Sequence, residues 1–318
     1  MDEISTFKFN SVNLRNLKEL SERESRLKEQ RICELSELSE SAFETAYSLY
    51  TSGYNIYEIL SVLSDEIPDG YTALHSSYLK ENLTRLKSHL NLLEMGDKVL
   101  FAELFLERLL NGGIPISEAD FLKSEHAGAR VAYVKSALCD EAYDVFSEEL
   151  TSPRLSYTKS FSEAVGKVIS GECEYCILPF EERGGVRVST VYELIFRHDL
   201  KINSVTPVFG FDGIADTKYA LLSKSFRVPK LENGDDRYLE IRLKASSSFP
   251  LSQVLFASES YGASIYRVNS VILRDDEGEN EYYSLVFRDD VSDFTRLLTY
   301  LTLFSVTYTA VGIYKNLE

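Results

Sequence analysis

The stretch that decides the fold is SFSEAVGKVISGECEYCILPFEERGGVRVSTVYELIFRHDLKIN, residues 160–203. Phe161, Ala164, Val165, Val168 and Ile169 keep the 3.6-residue period of a helix with one buried stripe, and Gly171 stops it. Glu174–Leu178 reads as a short apolar strand closed by Pro179. A glycine-containing loop follows, then a second amphipathic helix with Val191, Leu194 and Ile195, then another short strand. Alternation of this kind predicts an α/β lobe.

Upstream, Arg130–Lys135 (RVAYVK) reads as a strand and Asp140–Leu150 as the helix after it. Ile116–Glu125 reads as a short linker helix. Before that the chain is leucine-rich and helical: residues 11 to about 50, then Asn55–Ile67 ended by the turn Pro68-Asp69-Gly70, then Ser76–Met95 and Lys98–Leu110. Such helices bury their stripes against one another or against a second subunit. Downstream of a polar linker at 225–236, the pattern is strand, helix, strand, strand, helix, strand. The strands are Arg237–Ala245, Ala263–Leu273, Glu281–Arg288 and Val306–Tyr314, and the helices are Pro250–Tyr261 and Val291–Phe304. A hairpin turn is expected at residues 275–278. This βαββαβ order is the ferredoxin-like layout. The expected division is 1–115 helical, 128–228 an α/β lobe, and 236–318 the βαββαβ domain.

The chain has 318 residues, 44% hydrophobic and 26% charged, ordinary values for a globular protein. Its net charge of −16 argues against nucleic acid or an anionic membrane as partner. No stretch approaches 18 apolar residues, and the N-terminus MDEISTFKFN has no apolar signal region, so a cytoplasmic location is expected. Cys33, Cys139, Cys173 and Cys176 are scattered. Cys173 and Cys176 form C-x-x-C, but on a strand a spacing of three points them to opposite faces. No second pair and no nearby histidine completes a metal site, so buried thiols are expected and neither a metal nor a cofactor is.

The order SFSEAVGKVISGECEYCILPFEE, TVYELI, LKI resembles the first lobe of prephenate dehydratase. The resemblance runs from about Arg130 to Glu318. That family converts prephenate to phenylpyruvate, and it has a fold similar to two-lobed periplasmic binding proteins, usually followed by an ACT domain. The helical N-terminal region stands where some bifunctional members carry a chorismate mutase domain. Arg15, Arg23, Lys28 and Arg31 are the cations such a pocket would need, but they fall among acidic neighbours and read as a solvated helix face. The fold class implied is α/β of a mixed α+β kind. It comprises an all-α N-terminal region, a single periplasmic-binding-protein-like lobe and a ferredoxin-like ACT domain.

The resemblance implies site residues, and the chain departs from the family at several of them. After Pro179 and Phe180, Glu181 matches the family motif, whereas Glu182 replaces an asparagine and Arg183 a hydroxyl residue. The loop Lys135-Ser136-Ala137-Leu138-Cys139-Asp140 lacks the glycines that let backbone approach a carboxylate. Thr217, in Asp216-Thr217-Lys218-Tyr219, stands where the family has its catalytic threonine. Between Ile202 and Thr217 lie 14 residues, and one βαβ unit takes about 30, so no second lobe fits there. The family binds phenylalanine on two ACT motifs; here those places read Phe249-Pro250-Leu251 and Asn269-Ser270-Val271-Ile272. Leu251, Asn269 and Ser270 are the candidate ligand residues there, with Glu181 and Arg183 in the lobe. Two readings follow. In one the chain is a non-catalytic, amino-acid-binding or regulatory relative. In the other it is an active dehydratase using Thr217. Prephenate or phenylalanine is the ligand expected, and a homodimer through the ACT-like domain or the helices is the assembly expected.

Overall fold

A computed structural model describes residues 3–64, 77–122, 128–209, 215–227, 236–245, 250–275, 278–289, 293–305 and 308–317. The turn at Pro68-Asp69-Gly70, most of the 225–236 linker, Phe249 and the tip of the 275–278 turn lie outside them. The chain divides into two compact units, Met1–Tyr54 with Glu58–Pro115, and Asn55–Tyr57 with Ile116–Glu318.

The first unit is helical: α1 (Glu3–Thr51), α2 (Ile56–Leu63, which straddles the division), α3 (Ser77–Asn91) and α4 (Met95–Asn111). The leucine stripe buries Leu35 and Leu49 of α1 and Leu83, Leu86 and Leu90 of α3, while α4 contributes Phe101, Phe105 and Leu109. Arg108 of α4 donates from Nε to Ser39 Oγ at 2.8 Å and from Nη2 to Ser36 Oγ at 2.9 Å, fixing α4 along α1. Of the cations considered for a mutase pocket, Lys28 pairs with Glu24, Arg31 pairs with Asp97 and Glu34, and Arg23 is exposed.

The second unit is built on one mixed sheet. In chain order its strands are β1 (Arg130–Val134), β2 (Arg154–Thr158), β3 (Tyr175–Glu182), β4 (Val186–Arg187), β5 (Lys201–Phe209), β6 (Ala215–Ser223), β7 (Arg237–Lys244), β8 (Ala263–Asp275), β9 (Gly278–Asp289) and β10 (Tyr308–Lys315). Helices α5 (Ala137–Glu149), α6 (Phe161–Ile169), α7 (Ser189–Arg197), α8 (Leu251–Ser260) and α9 (Thr295–Phe304) connect them. Ser136 and Ser160 cap α5 and α6, each accepting a bond from the backbone three residues on.

The sheet order is β2-β1-β3-β6-β5-β10-β7-β9-β8, with β4 paired to β3. β1, β2 and β3 are parallel, and β3, β6 and β5 are successively antiparallel. β7 to β10 form the antiparallel ferredoxin-like half. The two halves meet where β10 lies parallel to β5, pairing Gly312 with Ile202. Leu317 N–H extends the junction by donating to Val205 O at 2.7 Å. One buried core crosses it: Val165, Leu178, Val191 and Ile202 cluster with Tyr238, Val286, Val311 and Tyr314. A second core gathers Val131, Tyr133, Phe146, Tyr175, Ile177 and Leu221, with Cys139 and Ala142 of α5.

Two local expectations are corrected. β3 does not close at Pro179 but runs on to Glu182. Its register with β1 ends at Cys176, while Pro179 stays in register with Tyr219 of β6 and a bulge falls at the next residue, Phe180. Cys173 precedes the strand rather than lying on it, so the period-two argument does not apply. Cys173 and Cys176 are buried in the same core cluster.

Candidate functional site: the junction of the two half-sheets

Among the described residues five strands carry bulges. Phe180 is the extra residue in β3, Asn203 in β5, Asp216 in β6, Tyr266 in β8 and Val311 in β10. A bulge re-aims the side chain it inserts. Here Phe180 and Tyr266 both line a small pocket, with Glu181, Arg187, Val205, Lys218, Tyr238, Tyr314 and Asn316.

Each charged group reaches the pocket for a local reason. Gly184 and Gly185 turn the chain from β3 into β4 at φ of 86° and 83°, a conformation that favours glycine. The turn brings Arg187 opposite Glu181. The Arg187 guanidinium lies 3.6 Å over the Phe180 ring and donates from Nη2 to Glu240 Oε2 at 2.9 Å. Glu240 is fully buried on β7 and also accepts from the Tyr314 hydroxyl at 3.1 Å and from Ser284 Oγ at 3.2 Å. Arg267 of β8 donates from Nη1 to Glu181 Oε2 at 2.6 Å, and Lys218 Nζ lies 3.7 Å from Glu181 Oε1. Tyr238 stacks on Tyr314 with ring centres 5.8 Å apart, and Tyr266 meets Tyr238 edge-on at 5.0 Å.

The electrostatics follow from that packing. Burial pushes the Glu181 carboxyl up, but the Arg267 hydrogen bond and the charges of Lys218, Arg267 and Arg187 outweigh it and hold it below 4.5. Burial works against the Arg187 charge, and Glu240, Tyr314 and Glu181 more than offset it, holding the guanidinium protonated. Burial, with Asp236 and Tyr266 adding to it, raises the Tyr238 hydroxyl to about 12. The Arg187 Nε and Nη1 atoms are buried and have no hydrogen-bond partner. The cavity that these side chains line measures about 20 Å³. That is space for one or two water-sized groups, not for a phenylalanine ring.

No family model matches the chain, and no curated protein matches it. Solved structures of similar fold include a prephenate dehydratase from Streptococcus mutans, 16% identical with a TM-score of 0.48, covering 60% of this chain and 100% of that one. A second is GqqA, described as a novel type of quorum-quenching acylase, 18% identical at a TM-score of 0.43 over 58% of this chain and 94% of that one. A third is a phenylalanine-bound prephenate dehydratase from Arthrobacter aurescens, 14% identical at 0.42 over 58% and 90%. These are partial likenesses of fold; the chemistry of the junction rests on its own residues.

Of the residues singled out by sequence, Glu181 sits at the centre of the pocket. Arg183 lies on the exposed turn between β3 and β4. Thr217 is half-buried on β6, in register with Glu182 on one side and Val208 on the other, and does not line the pocket. Leu251 opens α8, and Asn269 and Ser270 lie on β8, where Ser270 Oγ donates to Glu281 Oε1 at 2.6 Å. Sequence reasoning missed Arg187, Lys218, Glu240, Arg267 and the three tyrosines. One signal was readable: Arg237–Lys244 alternates Leu239, Ile241 and Leu243 with Tyr238, Glu240 and Arg242. Glu240 on a strand buried on both faces demands a buried partner. Among the described residues no group of three histidine, cysteine, aspartate or glutamate side chains is placed to hold a metal, and no helix is long and apolar enough to cross a membrane.

Proposed function

We propose that this chain is a prephenate-dehydratase-like protein of aromatic amino-acid metabolism that binds an amino acid or related carboxylate and regulates, without dehydrating prephenate itself. The observation that carries the reading is the return of the chain from β5 to β6. Phe209 pairs with Ala215, so these strands form one hairpin with no room for a second lobe between them. Thr217 is therefore built into a ladder between β3 and β5 rather than across a closing cleft. Dehydration needs water excluded and donors aimed from both sides of the substrate, and a single lobe supplies one wall. Its ACT-like half carries Leu251, Asn269 and Ser270 toward phenylalanine, and a homodimer through that half or through the helices belongs to the same reading.

The test is purified chain with prephenate, following phenylpyruvate, beside calorimetry with phenylalanine. The expected result is no phenylpyruvate and a saturable heat of binding that Thr217→Ala leaves unchanged. Turnover abolished by Thr217→Ala would replace this reading with the active dehydratase. The position of Thr217, one residue from Lys218 and in register with Glu182, is what would favour that second reading.

A further inference from the structure

Helix α1 outruns the bundle it belongs to. Arg31 Nε donates to Asp97 Oδ2 at 3.0 Å in the first turn of α4, and from there the two helices run side by side, with Arg108 meeting Ser36 and Ser39. On the other side of Arg31 the helix continues from Gln30 back to Glu3, roughly 40 Å at about 1.5 Å per residue. Every side chain from Lys18 to Gln30 is exposed, Leu20 by 60% and Leu27 by 57%. Leu20, Leu27, Leu35, Leu38, Ala42 and Leu49 stand at spacings of 7, 8, 3, 4 and 7, which is one helical stripe. The bundle buries Leu35, Ala42 and Leu49, half-buries Leu38 and leaves the first two in water. A helix in water is held mainly by packing such a stripe, so the arm lacks its stabilising partner within one copy of the chain.

The charge pattern says what fits there. The chain carries −16, yet residues 18–34 hold five basic side chains (Lys18, Arg23, Arg26, Lys28, Arg31) and five acidic ones (Glu19, Glu22, Glu24, Glu29, Glu34). The arm is thus a neutral segment of a molecule whose acidic remainder repels its own copies. Laid antiparallel against itself with Leu20 opposite Leu27, the segment brings Lys18 level with Glu29, Glu19 with Lys28 and Arg23 with Glu24. Glu22 and Arg26 come level with Ser25 and Ser21, so like charges coincide nowhere between Lys18 and Glu29. In a parallel pair every charge would meet its own copy. Opposite charges along a helical seam set partner and orientation.

We propose that the projecting arm of α1 is a dimerisation surface whose occupant is the arm of a second copy, packed antiparallel, with Leu20 of each against Leu27 of the other. The two-fold axis passes between Arg23 and Glu24. Four leucines close the seam, and the three pairs of opposite charge flank it twice each. Lys28 already meets Glu24 of its own helix at 2.7 Å, so the flanking charges join into a network. The inference rests on the homodimer proposed above and chooses the helices over the ACT-like half. It makes no use of prephenate or phenylalanine, so it stands or falls apart from catalysis and ligand binding.

The experiment is sedimentation velocity on the full chain over a concentration series, where a reversible dimer is expected. Leu20→Asp with Leu27→Asp changes two side chains that the single copy leaves exposed, and should weaken the dimer by roughly a hundredfold or more, since four leucines leave the seam. Lys18→Glu alone should weaken it roughly two- to fivefold, and Lys18→Glu with Glu29→Lys should restore it. Orientation is read in a Cys33→Ser background, where the remaining cysteines are buried. There, chains carrying Leu20→Cys and chains carrying Leu27→Cys should cross-link with each other under mild oxidation, and neither should cross-link with its own kind. A chain that stays monomeric throughout overturns the proposal. So does a dimer that Leu20→Asp with Leu27→Asp leaves at full strength, which puts the interface in the ACT-like half. So does cross-linking of Leu20→Cys chains among themselves, the mark of a parallel pair. None of these outcomes depends on whether phenylalanine binds.

Discussion

Glu181 shows how a single side chain can couple the two half-sheets to pH. Its carboxyl is held below 4.5 because three cations contributed by β4, β6 and β8 outweigh the effect of burial. A carboxyl depressed in the folded state contributes stability above its unfolded value, and loses it as pH falls through the folded one. The stability difference between wild type and Glu181→Gln should therefore be largest near neutrality and shrink steadily below pH 4.5. Urea unfolding across that range measures it, and a pH-independent difference would mean the charges around Glu181 do not govern its ionisation. At this scale the sequence was half legible. Glu181 stood out because it follows Pro179 and Phe180 in a recognisable motif. Arg187 did not, since it sits on a strand of two residues that exists only because Gly184 and Gly185 turn the chain onto it. Arg267 was silent because its reach depends on a bulge, and a bulge leaves no period in the sequence.

Among the elements, β10 carries the tightest steric constraint. At Gly312 an added Cβ would stand 2.5 Å from the Ile202 carbonyl oxygen and 2.8 Å from its Cβ. Neither can yield without parting β10 from β5, because both belong to the facing strand. Gly312→Ala should cost about 1–3 kcal/mol, the usual range for overpacking. Hydrogen exchange should quicken at Leu317 and along Ile202–Thr206 while the β8–β9 ladder stays protected. Equal loss of protection in both regions would show that the half-sheets unfold as one. The helices and most strands were readable beforehand, since stripes such as Ala164, Val165 and Val168 repeat at fixed periods. The end of β3 was misplaced because proline normally stops a strand, whereas here Pro179 stays in register with Tyr219 and the strand runs on to Glu182. The joining of the half-sheets was unreadable, because parallel pairing of β5 with β10 links residues more than a hundred positions apart and depends on no local pattern.

For the molecule as a whole, the sheet order places β10 between β5 and β7, in the middle of nine strands rather than at an edge. Ending the chain before Tyr308 should therefore do more than trim a terminus. It would uncover Ile202 and Val205 on one side and Tyr238 and Leu239 on the other, and split the core that crosses the junction. The expected outcome is loss of a cooperative unfolding transition for the second unit, read by circular dichroism, with the helical signal of α1 to α4 retained. A truncated chain that still melts cooperatively would show that the α/β half is complete without its neighbour.

That same strand order has a consequence in time. β5 ends at Phe209 and β10 begins at Tyr308, 99 positions later by their numbers. At about 5–20 residues per second, a ribosome takes roughly 5–20 s to cover that distance. Throughout it, the side of β5 that β10 covers is an open strand edge, the kind of surface that recruits strands from other chains. The nascent protein must be shielded, or made sparingly, for as long as its keystone strand has yet to be translated.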